Sequence, residues 1–325
     1  MSRPRWVFAA KLALTLVALF LIVRALPLRQ LQTLTLRPAW MVLAMAALTG
    51  EFLIAAGKLR WLLGFGTLAL QLRISLTKVF FNQFLPGGLG GEAARWTYLN
   101  RMIGSHGQTV GLLFSDRWSG FCTQIFWSGC GLWLFARLHP DSPSWIFPAS
   151  LSLVMGGLVA WFLGPRLLMT AARNLIWLRR FGPLQSLGKE LDAFHATWLP
   201  FFRPGSKSWR LFLWACANQI SLVALMYLAS RALGIMPHPL WVPALFLMGS
   251  LSALLPLTLG GFGIQEGFFG YAFLLSGSGV EEGIAVSLLL RLLLFPFSLA
   301  GGILFWRGGQ WPERPPEPSL PGYPR

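Results

Sequence analysis

Apolar residues run through this chain in stretches long enough to cross a bilayer. Such stretches predict helices, because in hydrocarbon a helix satisfies its own backbone hydrogen bonds. The windows fall near residues 6–26, 39–63, 107–135, 145–163, 211–233, 240–257, 262–275 and 284–306, about eight segments by the length criterion. Two places interrupt the pattern. Residues 80–101, FFNQFLPGGLGGEAARWTYLNR, break at Pro86, Gly87 and Gly88 and restart as a helix carrying Glu92 and Arg95; residues 254–269, LLPLTLGGFGIQEGFF, break in the same way before Glu266. Gly87-Gly88-Leu89-Gly90 is echoed by Gly260-Gly261-Phe262-Gly263. The segment 262–275 is too short to cross alone at 1.5 Å per residue, so it and residues 78–85 are expected to be re-entrant or discontinuous. Irregular backbone survives at membrane depth only inside protein or beside a wet cavity. A pair of broken segments in corresponding halves is a transporter pattern. The fold class expected is therefore an all-α polytopic membrane protein with pseudo-repeated halves.

Residues 1–306 are expected to form a single integral membrane domain. Within it, Leu184, Leu187, Leu191, Phe194 and Trp198 recur at spacings of three and four opposite Lys189, Glu190 and Asp192, predicting an amphipathic helix in an interfacial region over 166–206. It is read as an elbow joining two bundles, with lipid sensing or partner docking as the alternative. The proline-rich stretch 307–325 is expected to be a disordered cytoplasmic tail.

Composition sharpens the class. The 325 residues are 55% hydrophobic and only 12% charged, which excludes a soluble enzyme. The 27 basic residues against 11 acidic ones give a formal charge of +16, and in a membrane protein this excess belongs to topology and anionic headgroups rather than nucleic acid. Arg166, Arg173, Arg179, Arg180, Lys189, Arg203, Lys207 and Arg210 place their loop in the cytoplasm. Counting outward puts both termini there too, in a multi-pass protein of the inner (cytoplasmic) membrane. The N-terminal run is expected to stay as a helix, since it lacks a small-residue cleavage site. Cys122, Cys130 and Cys216 lie in apolar runs and read as core residues. The sixteen tryptophans read mostly as an interfacial belt, with Trp96 a possible headgroup contact.

Charges within apolar spans are expensive and need a partner or a purpose. Glu51, Asp116, Arg117, Glu266 and Arg291 are such charges, and Glu92 and Arg95 stand at the first break. A helix restarting after Gly90-Gly91 would offer free amides to a phosphate oxygen, with Arg95 adding a charged fork. Asp116 and Arg117 are sequence neighbours and so look to different helices. His106, His139, His195 and His238 suggest no metal site, and no nucleotide loop or catalytic triad is present. No cofactor or metal is expected, and no catalytic residue is assigned.

Asn82-Gln83-Phe84-Leu85-Pro86 with Gly87, Gly90, Glu92 and Arg95, then Asp116-Arg117 with Gly120, then Pro256 with Gly261-Phe262-Gly263 and Glu266, together resemble the lysylphosphatidylglycerol synthase transmembrane family of flippase-like proteins. In the family's larger members such a region is fused to a cytosolic aminoacyl-lipid synthase and moves the modified lipid between leaflets. The apolar segments take up nearly the whole sequence, so a stand-alone member without a synthase domain is expected, and the resemblance implies that it translocates an anionic or modified phospholipid or lipid-linked headgroup. Asn82, Pro86, Gly87, Gly88, Gly90, Glu92, Arg95, Asp116, Arg117, Gly261, Gly263, Glu266 and Arg291 are the candidate substrate-binding residues. Membrane lipids with anionic headgroups are the expected partners, alongside a possible lipid-modifying enzyme. The alternatives are an integral membrane transferase using a polyprenyl-phosphate or phospholipid donor, with Glu92 or Asp116 as general base, and a non-transporting envelope scaffold.

Overall fold

Helices make up every regular element among the residues that the computed structural model describes, which are 36–84, 89–174, 185–251 and 263–307. The first expected span, the breaks at Pro86, Gly87, Gly88 and Gly261, and the proline-rich tail lie outside them. Three helices are long and apolar enough to cross a membrane by length and composition: α1 (Pro38–Leu63), α8 (Ser206–Ala232) and α11 (Val280–Arg307). The protein is thus an all-helical, multi-pass membrane protein.

Local chemistry sets the helix ends. Pro38 begins α1, where its missing N–H would lack a partner in any case. Gly64 ends it in a left-handed conformation (φ 74°), its amide returning to the Arg60 carbonyl at 3.0 Å. A hairpin follows, α2 (Leu68–Phe84) against α3 (Leu89–Ile103). Residues 78–85 therefore largely belong to a helix that begins at Leu68. Its first turns escaped the hydropathy scan because Gln71 and Arg73 dilute them.

α4 (His106–Leu138) has 33 residues. At 1.5 Å per residue it is about 50 Å long, well beyond the roughly 30 Å hydrocarbon core. Its first turn is closed by Ser105, which accepts from the Gln108 amide, and by the Glu190 carboxylate, which accepts from the Gly107 amide. That carboxylate comes from α7 (Gln185–Trp198), reached after α5 (Ile146–Phe162) and α6 (Gly164–Asn174). The amphipathic α7 lies against α4, where Gly107 and Gly111 leave room for the Glu190 and Phe194 carbonyls. Phe194 and Trp198 ring-pack on Phe114. α9 (Val242–Leu251) and α10 (Ile264–Leu275) complete the bundle with α11.

Two hydrophobic cores result. One gathers Leu48, Phe52, Met226, Leu245, Phe269 and Phe273 from α1, α8, α9 and α10; the other gathers Leu59, Tyr98, Leu112, Trp161 and Trp198 from α1, α3, α4, α5 and α7. Trp161, Trp198 and Trp241 are buried and fill core space between helices. Trp96 stacks on His106 at 5.4 Å. Beyond the end of α4, His139 packs edge to face on His238 at 5.1 Å. Burial, and secondarily the nearby His139, pushes the His238 imidazole below its ordinary value.

Candidate functional site

Four helices bring six ionisable side chains into one cluster. Asp116, a third of the way along α4, accepts from Lys58 of α1 at 2.9 Å and from Arg95 of α3 at 2.7 Å. Lys58 also donates to the Asp116 carbonyl at 3.1 Å. Glu92, one turn before Arg95, pairs with Lys78 of α2 at 2.8 Å and with Arg117 of α4. Asp116 and Arg117 thus serve different carboxylate–cation pairs although adjacent in sequence. Lys58 and Arg95 are almost wholly buried (3% and 4% exposed), whereas Lys78 and Glu92 keep partial access. Four cations therefore face two carboxylates, a formal excess of two positive charges. The Nε of Arg95 finds no acceptor among the described residues.

A second buried pair sits on the other side. Glu266, in the first turn of α10 and fully buried, accepts from Arg291 of α11 at 2.6 Å, from Ser287 at 3.4 Å and from the Gly263 amide at 2.7 Å. Arg291 reaches on to the Gln265 carbonyl oxygen of its side chain at 2.9 Å. Gly263 holds φ 88°, a left-handed turn that favours glycine and lets Glu266 cap its own helix.

Between the two groups lies a cavity of about 360 Å³. Lys78, Arg95 and Asp116 border it from the first cluster and Gln265 from the second, with Glu51 and Ser250 on the intervening walls. Leu48, Phe52, Leu225, Phe269 and Leu290 supply its apolar lining. Glu51 accepts from Asn218 of α8 at 3.3 Å, and Ser250 accepts from Gln124 of α4 at 2.6 Å. Among the described residues no group of three or more metal-ligating side chains occurs.

The expected residues separate into four sets. Glu92, Arg95, Asp116 and Arg117 meet in the first cluster; Gly263, Glu266 and Arg291 meet in the second; Pro86, Gly87, Gly88 and Gly261 fall outside the described residues. Asn82 and Gly90 stand at the α2–α3 turn, and here one expectation changes. The Gly91 amide is not free for a phosphate, because it donates to the Asn82 side-chain oxygen at 2.9 Å. Gly91 itself is packed so closely on α2 that a methyl there would strike Asn82 and the Lys78 carbonyl.

Lys58, Lys78 and Gln265 were not foreseen as site residues. Lys58 lies inside the span expected over 39–63, seven residues from Glu51 and so on the same helix face; the cost of charge in hydrocarbon applies to it as much as to Glu51. Lys78 carries a similar signal, lying one turn before Asn82. A neutral Gln265 offers none.

The family model described as the lysylphosphatidylglycerol synthase TM region matches residues 8–302, and the chain belongs to that family. No curated protein and no solved structure matches it.

Proposed function

From membership of that family, and from the charge of the cavity, we propose that the protein translocates lipid, admitting an anionic headgroup to the polar cavity while the acyl chains stay in the bilayer. The observation that carries this reading is the cationic excess at a partly accessible wall. Four cations share two carboxylates, and Lys78 and Arg95 face the cavity. An anionic headgroup would complete the balance that the protein's own side chains leave open, which lowers the cost of holding those charges away from water. A volume of about 360 Å³ lies within the range for small-molecule sites, about 300–1,000 Å³. Arg95 would offer its fork and Lys78 a point charge. Gln265, Ser250 and Glu51 would meet hydroxyl or amine groups on the far side of the headgroup.

Proteoliposomes carrying fluorescent phosphatidylglycerol or phosphatidylcholine, with dithionite reporting the leaflet, test the reading. Wild-type protein is expected to speed phosphatidylglycerol exchange over empty vesicles. Lys78→Gln is expected to slow it by about tenfold, the equivalent of about 1.4 kcal/mol. Exchange equal to empty vesicles for every headgroup, or unchanged rates in both Lys78→Gln and Arg95→Ala, would sink it.

A further inference from the structure

A second recess lies apart from the polar cavity and shares no lining residue with it. It has a volume of about 290 Å³ and is walled by Phe126 of α4, Leu158 and Trp161 of α5, and Trp209 and Phe212 of α8, with Ser208 at its side. Three observations together say what would fill it. The lining is almost entirely apolar and aromatic, the surface that an acyl chain packs against. Ser208, 6% exposed, accepts from the Trp161 indole at 3.3 Å, and among the described residues nothing accepts its own hydroxyl proton. The chain around the recess is basic: Arg203, Lys207 and Arg210 flank Pro204, Gly205 and Ser208, and all three are exposed and outside any ion pair among the described residues. No acidic residue occurs between Asp192 and Glu266 to balance them.

We propose that this recess is a binding site for a resident anionic phospholipid, separate from any lipid that is moved. One acyl chain lies against Phe126, Leu158 and Trp161. The Ser208 hydroxyl donates to an ester carbonyl at the top of that chain. The phosphate sits among Arg203, Lys207 and Arg210, where juxtamembrane cations attract anionic lipid. Apolar fit alone would accept any phospholipid; the basic rim supplies the preference for negative charge.

Native mass spectrometry of the full chain in detergent, titrated with dioleoyl phosphatidylglycerol or dioleoyl phosphatidylcholine, tests the site. Wild type is expected to retain one phosphatidylglycerol in preference to phosphatidylcholine. Removing cations with Arg203→Ala, Lys207→Ala and Arg210→Ala is expected to weaken that retention by about fivefold for each charge. These positions are exposed, so folding is expected to survive. Leu158→Trp, which fills the recess, is expected to lose both lipids, and Ser208→Ala to weaken both. Lys78→Gln, which weakens headgroup binding in the polar cavity, is expected still to retain one phosphatidylglycerol in preference to phosphatidylcholine, the one held at this recess. Equal retention of the two lipids by wild type, full retention in the triple variant, or loss in Lys78→Gln alone would each overturn the proposal.

Discussion

Asp116 accepts from two nearly inaccessible cations, Lys58 and Arg95, of which Arg95 has only a longer second contact, to Glu92 at 4.0 Å, among the described residues. Removing one partner of a buried pair leaves an uncompensated charge and costs about 3–5 kcal/mol. Asp116→Ala leaves two, so it is expected to reach at least the upper part of that range in reversible unfolding in detergent. Glu92→Ala makes the useful contrast. Its carboxylate is 23% exposed and its partners Lys78 and Arg117 reach solvent, so a smaller loss of about 1 kcal/mol is expected. Equal losses at the two positions would show that burial does not rank these carboxylates. The glutamate at the second break behaves differently again. Glu266 caps its own helix and pairs with Arg291, so the echo of Glu92 by Glu266 in the sequence does not extend to their partners. A preceding glycine break marked both as candidates, and nothing in the local sequence said which cation each would meet. Such pairings join residues 14 to 58 positions apart, a separation at which helix periodicity carries no information.

Helix packing here runs through glycines, as expected where lipid supplies no hydrophobic force between helices and close backbone approach supplies the contact. Gly301 of α11 sits on the Leu76 carbonyl of α2, so closely that a methyl group would collide with it. Gly301→Ala is expected to separate α2 and α11 and cost about 1–3 kcal/mol, the usual penalty of overpacking. Gly156 of α5 has nothing within 4 Å of an added methyl, so Gly156→Ala is expected to be neutral or to stabilise by up to about 1 kcal/mol through helix propensity. Thermal unfolding of both variants in one detergent checks the contrast, and destabilisation by both would count against the packing described. At this scale much of the architecture was legible. The spans expected over 39–63, 211–233 and 284–306 correspond to α1, α8 and α11 within a few residues. α2 and α3 were legible only in part, since Gln71, Arg73, Glu92, Arg95 and Arg101 lower their hydropathy. Their charges are sheltered by neighbouring helices and by the cavity, which a sliding window along one helix does not register.

Across the whole molecule, the polar cavity lies where the two hydrophobic cores meet. Phe52, Met226 and Phe269 of the first core line it, while Arg95 and Asp116 reach it from helices that build the second. A headgroup bound there touches both assemblies at once, so it adds a tie between parts of the fold that also join through α1, α2, α4, α5 and α8. Ligand that binds only the folded state raises stability by RT ln(1 + [L]/Kd), about 2.7 kcal/mol at a hundredfold excess over Kd. Short-chain phosphatidylglycerol is therefore expected to raise the unfolding midpoint of wild-type protein in detergent, and phosphatidylcholine of the same chain length to raise it less. Lys78→Gln separates headgroup binding from general lipid solvation. Lys78 keeps 23% exposure and Glu92 retains Arg117 as a second partner, so the variant's midpoint without lipid is expected to fall by only about 1 kcal/mol. Its response to phosphatidylglycerol is expected to drop to the level seen with phosphatidylcholine. If the variant keeps the full response, the stabilising lipid does not contact the Lys78 wall, and the midpoint shift reports acyl-chain packing elsewhere on the bundle.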